Sequence, residues 1–162
     1  MTPFAIPLRT ANRPVNRPAL DWLHMLALAK KFGVQTAWEM DVEAWKHFAY
    51  VFGKNLRKNY LPNPVWPESI FDALDVFSRV LKIEGRKVCI EDGKIIIRIT
   101  DCETQKAIAK AGVADCGIVT VQTYQGLIGG LFDNKIFVDV AHTKNLNRGD
   151  DCCEVVVTRK SP

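Results

Sequence analysis

Apolar residues recur at helical spacing along three stretches in the first half of the chain. Residues 19–32 carry Leu20, Leu23 and Leu26 on one side, and Gly33 follows as a stop signal. Residues 36–59 and 68–81 repeat the i, i+3, i+4, i+7 pattern of an amphipathic helix. We therefore predict three helices. The stripe of the second is the richest in aromatic residues, with Trp38, Trp45, Phe48, Val51, Phe52 and Leu56.

The pattern changes at Arg86, where short apolar runs replace the helical stripes. Asp92-Gly93 separates the first two runs, which is a strong signal for a two-residue hairpin turn. Two later runs also have strand character. The four predicted strands are residues 86–91, 94–100, 135–141 and 153–159.

Two further helices are predicted between the second and third strands. One spans residues 104–111 and ends at Gly112, and the other spans residues 116–131 behind a capping Asp115. The order of elements predicts an α+β fold in which N-terminal helices pack on an antiparallel sheet of about four strands. With 162 residues, the chain is long enough for one well-buried core. We expect one domain, residues 19–160, preceded by a flexible arm, residues 1–18.

Charge and cysteine content limit the functional classes. The net charge of +4 comes partly from Arg9, Arg13 and Arg17 of the arm, which has no aromatic residues among its arginines, so nucleic-acid binding is not expected. No apolar run is long enough to cross a membrane. Five cysteines and the lack of a secretory leader argue against a disulfide framework and predict a reducing, cytoplasmic location.

Thiol, imidazole and carboxylate groups cluster in the last third of the chain. Cys116 follows Asp115 at a predicted helix start, where free amides favour the thiolate. Asp139-Val-Ala-His142 and the Cys152-Cys153 pair follow. An interval of three places Asp139 and His142 on opposite faces of a strand, so one of them, His142, is expected at the loop or a bulge. Zinc prefers four such donors in a tetrahedron, so we predict a site made by Cys116, Asp139, His142 and Cys153.

Other cysteines offer alternatives for this site. Cys102 and Cys116 bracket one short helix, and Cys152 is the neighbour of Cys153, so Cys102 and Cys152 are alternate ligands. Adjacent residues in a strand point to opposite faces, so only one of Cys152 and Cys153 is expected at the site. An iron–sulfur cluster is not expected, because the spacing matches no common cluster pattern. Without a metal, these cysteines would be core residues.

The stretch from Cys102 to Val157 resembles the vinyl-4-reductase-type domain that binds small molecules. The resemblance rests on Cys116 opening a helix, Gly126, Asp139-x-x-His142 and the Gly149-Asp150 step before Cys153. In the sensor domains of that superfamily, cysteines and a glutamate hold a structural zinc beside a hydrocarbon pocket. Here aspartate and histidine replace a glutamate and a cysteine, and both replacements can still bind zinc.

The first half resembles a related group found mostly in anaerobic bacteria and archaea, and 2-amino-thiazoline-4-carboxylate hydrolase is a more distant relative. The shared positions include Asp21-Trp22-Leu23, Phe32-Gly33 and Cys102-x-x-Gln105. The sensor domains orient phenols with a tryptophan and a histidine. This implies ligand contacts from Trp22 with His24 or from Trp45 with His47, although helical periodicity turns His47 towards solvent. Phe48 and Tyr124 are further candidates for the ligand site.

We therefore expect a homodimeric protein that binds a hydrophobic, aromatic or tetrapyrrole-like molecule and carries a structural zinc. The alternative is a zinc-dependent or thiol-dependent hydrolase of a small cyclic amide or thiazoline-like substrate. In that case water would occupy the fourth zinc position, or a cysteine such as Cys102 would be the nucleophile. No established hydrolase or phosphate-binding motif is present to favour the enzyme.

Overall fold

A computed structural model describes residues 17–81, 83, 85–102, 105–106, 109 and 115–160, with only the backbone of residues 17–23. These residues form four helices and four strands. The first three helices precede the strands: α1 is Arg17–Phe32, α2 is Val34–Asn59 and α3 is Glu68–Leu81. The other elements are β1 (Arg86–Glu91), β2 (Lys94–Ile99), α4 (Gly117–Leu131), β3 (Val138–Lys144), a 3₁₀ turn (Leu146–Arg148) and β4 (Cys153–Arg159).

The four strands form one antiparallel sheet in the order β1-β2-β4-β3. The Asp92-Gly93 turn joins β1 to β2 with both residues at positive φ, as its sequence predicts. The last strand lies between β2 and β3, so its inward residues reach the centre of the molecule. Val155 and Val157 are 1% and 0% exposed. The sheet places β3 and the end of β2 beside the start of β4, where Cys153 lies.

The hydrophobic core lies between one face of this sheet and helices α2, α3 and α4. Its largest fully buried side chains include Phe77 and Ile70 of α3, Ile97 of β2 and Leu127 of α4. The other face of the sheet carries charged residues. There, Arg98 pairs with Glu91 of β1 and Glu154 of β4. One apolar and one charged face are typical of an antiparallel sheet covered by helices on one side.

Helices α2 and α4 approach each other closely through glycines. Gly53 of α2 lies against the Leu127 carbonyl, and Gly126 and Gly130 of α4 lie against the carbonyls of Lys46 and Tyr50. A side chain at any of the three would overlap backbone atoms. The small residues therefore set the helix separation and the position of α4 on the sheet.

The predicted α+β fold with N-terminal helices on a four-stranded antiparallel sheet is confirmed. The third strand begins later than expected, at Val138 instead of Lys135, because Asp133 and Asn134 adopt positive φ in a turn that continues past α4. Of the predicted helix over residues 104–111, only residues 105, 106 and 109 are described, and they are helical. The arm was predicted over residues 1–18, but Arg17 and Pro18 belong to α1, and residues 1–16 lie outside the described residues.

Within the described part of the chain, no helix is both long and apolar enough to cross a membrane.

Candidate ligand groove and cysteine–histidine cluster

Cys116, His142 and Cys153 come together at the junction of α4, β3 and β4. Cys116 is the residue before α4, and Cys153 opens β4, with its side chain on the core side. His142 lies opposite Val155 in the β3–β4 register, so it projects from the same face of the sheet as Cys153. The Cys153 thiol lies beside both the Cys116 thiol and the His142 imidazole. We call these three side chains the cysteine–histidine cluster.

A polar loop holds the start of α4 against the segment after β3. The Asp115 carboxylate accepts hydrogen bonds from the Gly117 amide at 2.7 Å and from the Asn145 side chain at 2.8 Å, and it pairs with Arg148. Asn145 is 3% exposed and accepts a bond from the Cys116 thiol. Gly117 leaves room for His142, because a Cβ there would lie 2.8 Å from the imidazole Nδ1. The predicted capping role of Asp115 is confirmed.

The two thiols of the cluster have opposite electrostatic environments. The neighbouring Cys116 thiol and His142 imidazole, together with a hydrogen bond from the Leu146 amide, hold the pKa of Cys153 well below its usual range, against the effect of burial. The neighbouring Cys153 sulfur and burial raise the pKa of Cys116. These shifts favour the thiolate at Cys153, whereas the helix terminus alone favours it at Cys116. The neighbouring sulfur outweighs the helix end because it is in direct contact.

The other predicted metal ligands, Asp139, Cys152 and Cys102, have different positions relative to this cluster. Asp139 and His142 are both inside β3, three residues apart, so the exposed Asp139 carboxylate projects from the opposite face. The bulge expected at His142 follows it, between His142 and Lys144. Cys152 interacts with Asp151 and Lys144 instead. Cys102 is near enough to Cys116 to raise the pKa of that thiol.

Two observations fit a metal at the cluster. The His142 Nε2 atom is buried and has no hydrogen-bond partner among the described residues. Two thiols and an imidazole are also a normal zinc donor set. Within the described residues, however, no three His, Cys, Asp or Glu side chains are arranged as a complete metal-binding group. The donor chemistry therefore fits zinc, although a formed ligand cage is not present.

A separate open groove lies between α3 and the start of β1. Its volume is about 510 Å³. Apolar side chains of α3, β1 and the connection between them form most of its wall, and Ser78, Asp75 and two arginines add polar groups. The lining residues are Phe71, Leu74, Asp75, Ser78, Arg79, Ile83, Gly85, Arg86 and Val88.

Arg86 connects this groove to the aromatic core. Its Nη1 donates to the Leu74 carbonyl at 3.0 Å and to the Ser78 hydroxyl. Its guanidinium lies 5.8 Å from the Phe77 ring centroid and 6.0 Å from that of Tyr124. The Arg86 Nε is buried and has no hydrogen-bond partner among the described residues. Sequence reasoning missed Arg86, since a charged residue opening a strand usually points to solvent.

The predicted ligand contacts have different positions relative to the groove. The Trp22 side chain lies outside the described residues, and His24 is exposed on α1. Trp45 packs edge-to-face on Phe48, whose ring is 6.3 Å from Phe77. Tyr124 is 4% exposed, and burial raises the pKa of its hydroxyl. Of the described candidates, none lines the groove. Tyr124 lies beside the lining residue Arg86, and Phe48 lies beside Phe77, which Arg86 also contacts.

His47, predicted to be solvated, is exposed.

Residues 9–147 match the protein family described as "Family of unknown function (DUF6125)". The chain belongs to this family. The match extends from the arm to the 3₁₀ turn and so includes α1 to β3, the groove and two of the three cluster residues, but not Cys153. No curated protein sequence matches the chain.

Solved structures share the fold at low sequence identity. Trafficking protein particle complex subunit 3 from Naegleria fowleri, covalently bound to palmitic acid, has a TM-score of 0.59 and 12% identity, covering 92% of this chain and 98% of that one. The phenol-responsive sensory domain of the transcription activator PoxR, solved with phenol, has a TM-score of 0.56 and 12% identity. That match covers 88% of this chain and 73% of the other. At this identity, the similarity concerns the fold alone.

Proposed function

We propose that this member of the DUF6125 family binds a small, mainly apolar molecule in the groove between α3 and β1. The groove itself carries the proposal. Its volume of about 510 Å³ lies in the usual range for small-molecule sites, and its wall combines four apolar side chains with four polar or charged ones. Two proteins of similar fold support the proposal, because one was solved with palmitic acid and the other with phenol.

The proposal extends the resemblance to vinyl-4-reductase-type domains, so the ligand class is hydrophobic or aromatic, with tetrapyrrole-like molecules as a further group. The edge of the aromatic cluster behind the groove includes Phe77, Phe52 and Phe48, with Phe52 and Phe77 ring centroids 5.2 Å apart. Phe71 is the aromatic residue in the wall of the groove itself among the described residues. The homodimer is proposed from the same resemblance, and the cytoplasmic location from the cysteine content.

Filling the groove should weaken binding of a neutral apolar probe. Val88 is half-buried at the groove wall, so Val88→Trp places a large ring where the ligand would lie. We expect N-phenyl-1-naphthylamine, which fluoresces in apolar sites, to bind the unaltered protein and to bind Val88→Trp about tenfold more weakly, a difference of ~1.4 kcal/mol. The measurement is a fluorescence titration.

The matched control for this experiment is Ile90→Trp. Ile90 is two residues further along β1, on the same face of the strand, is 49% exposed, and is not part of the groove wall among the described residues. It should leave probe affinity unchanged. Equal affinities of both variants, or no binding by the unaltered protein, would contradict the groove as the site.

We also propose a structural zinc at the cysteine–histidine cluster, with Cys102 as the fourth ligand in place of Asp139. The cluster residues supply two sulfurs and the His142 Nε2, which has no partner among the described residues, and Cys102 is a further sulfur near Cys116. When bound, such a metal cross-links the elements that supply its ligands, here the start of α4, β3 and β4. Four protein ligands leave no position for a reacting water, so the role is structural.

Metal content distinguishes the two possible ligand sets. Because a structural zinc takes four protein ligands and the proposed site supplies four, we expect elemental analysis to find about one zinc per chain. Cys116→Ser, His142→Ala and Cys102→Ser should lower this content, whereas Asp139→Asn and the control Cys152→Ser should retain it. Loss of zinc from Asp139→Asn with retention in Cys102→Ser would restore Asp139 as a ligand. A metal-free unaltered protein, expressed with zinc and iron available, would exclude the site.

A further inference from the structure

Arg86 lines the groove, and no carboxylate of the described residues forms an ion pair with it. Among the described residues, the ion pairs involve other cations, and Arg79, the second arginine of the groove, pairs with Asp75 at 2.6 Å. Arg86 contacts only neutral groups in this part of the chain: the Leu74 carbonyl, the Ser78 hydroxyl and the rings beneath it.

Burying a charge without an opposite charge is unfavourable. The acceptors that Arg86 has are on one side of the guanidinium, at Nη1, while its Nε remains without a partner. A guanidinium has five N–H donors arranged in a fork, and this fork matches the two oxygens of a carboxylate. The ring faces of Phe77 and Tyr124 stabilise the cation, and the Tyr124 hydroxyl is a further neutral partner of the guanidinium.

The groove is lined by both apolar and polar side chains. Phe71, Ile83 and Val88 are apolar, and the polar groups include Arg86 and Ser78, which are hydrogen-bonded to each other, and the Arg79–Asp75 ion pair. The aromatic rings beneath Arg86 hold the guanidinium in place, so little side-chain entropy is lost when an anion binds. This arrangement suits a molecule with one anionic end and an apolar body.

We propose that the ligand of the groove is an organic anion of the monocarboxylate class, with its carboxylate bound by Arg86 and its apolar body along Phe71, Ile83 and Val88. This inference rests on the proposed function, since it uses the same groove. It adds the charge of the ligand and the residue that selects it. A charge-assisted hydrogen bond to a partly buried arginine contributes more than a neutral one.

The test compares two molecules that differ only at the head group, decanoate and decan-1-ol, each titrated against the protein by isothermal calorimetry at neutral pH and below micelle formation. The unaltered protein should bind decanoate at least about tenfold more tightly. Arg86→Gln should abolish the preference by weakening decanoate binding while decanol affinity stays the same. Arg86→Lys, which keeps the charge but loses the planar fork, should retain part of the preference.

Lys87→Gln is the matched control, because Lys87 is the neighbour of Arg86 in β1 but is exposed and is not among the residues that line the groove. It should change decanoate affinity by less than about threefold, as expected for an exposed cation outside the site. Equal binding of decanoate and decanol by the unaltered protein would overturn the role of Arg86 and leave the apolar groove standing. No binding of either molecule would contradict the proposed function itself. The preference of the unaltered protein decides the inference even if Arg86→Gln does not fold.

Discussion

Replacing Gly130 with alanine should destabilise the protein by about 3 kcal/mol or prevent folding. A Cβ at this position would overlap the Tyr50 carbonyl oxygen and lie 2.9 Å from the Lys54 amide nitrogen, both backbone atoms of α2. Backbone cannot rotate out of the way, so α2 and α4 would have to separate. Overpacking a tight contact costs typically ~1–3 kcal/mol, and more where relaxation is blocked. Urea denaturation measures the free energy of unfolding.

Gly129 provides a control one residue away on the same helix. A Cβ there would meet the Asn134 side-chain oxygen at 2.9 Å, and the next contacts are with the Tyr50 ring at 3.7 Å and 3.9 Å. The exposed Asn134 side chain can move, and alanine favours a helix over glycine by ~1 kcal/mol. Gly129→Ala should therefore be neutral or stabilising. Equal destabilisation by both substitutions would contradict the close packing of α2 on α4.

Truncating Phe77 to alanine should lower the free energy of unfolding by about 3–5 kcal/mol, the usual range for a large aromatic residue in a core. Phe77 is 2% exposed and contacts Phe48 and Phe52, and its ring lies under the Arg86 guanidinium. Its loss removes apolar contacts and leaves a cavity at the floor of the groove. Thermal and urea denaturation of the purified variant measure the effect.

Phe137→Ala is the control for this truncation. Phe137 is 68% exposed, between α4 and β3, so its removal should change stability by less than about 0.5 kcal/mol. A Phe77→Ala variant as stable as Phe137→Ala would show that the core is not assembled around α3 in the way the structure describes.

The sequence pattern predicts the fold well where one face of an element is strongly apolar. The third helix and the first strand have the predicted bounds, because Glu68–Leu81 has a single apolar face and a hairpin signal follows Arg86–Glu91. The third strand was displaced by three residues. Its start depends on how far the turn after α4 continues, and alternation within residues 135–141 does not contain this information.

Periodicity identifies the apolar side of α2 but not the part that packs most closely. The aromatic stripe predicts that Phe48 and Val51 face inwards, yet they are 37% and 39% exposed. The helix instead buries Ala37, Ala49 and Gly53. Small residues allow backbones to approach, and this depends on glycines at matching positions of α4, which are 73 or more residues away in sequence (Gly53 to Gly126).

The sequence predicts the candidate sites only where a local pattern, such as the alternation along a strand, determines which way a side chain points. Alternation along a strand already separates Asp139 from His142, and the structure does so. The contact of Cys116 with Cys153 was predicted from chemistry and is present. The position of Arg86 was not predictable, because its partners Leu74 and Phe77 belong to a helix that meets β1 only in the folded chain.

The central claim, that the groove between α3 and β1 binds a small apolar molecule, is tested most directly by an NMR titration of the isotopically labelled protein with decanoate. The account predicts saturable chemical-shift changes centred on Phe71, Ile83 and Val88, with smaller changes on the charged face of the sheet around Arg98. Changes centred elsewhere, or no saturable change at all, would contradict it.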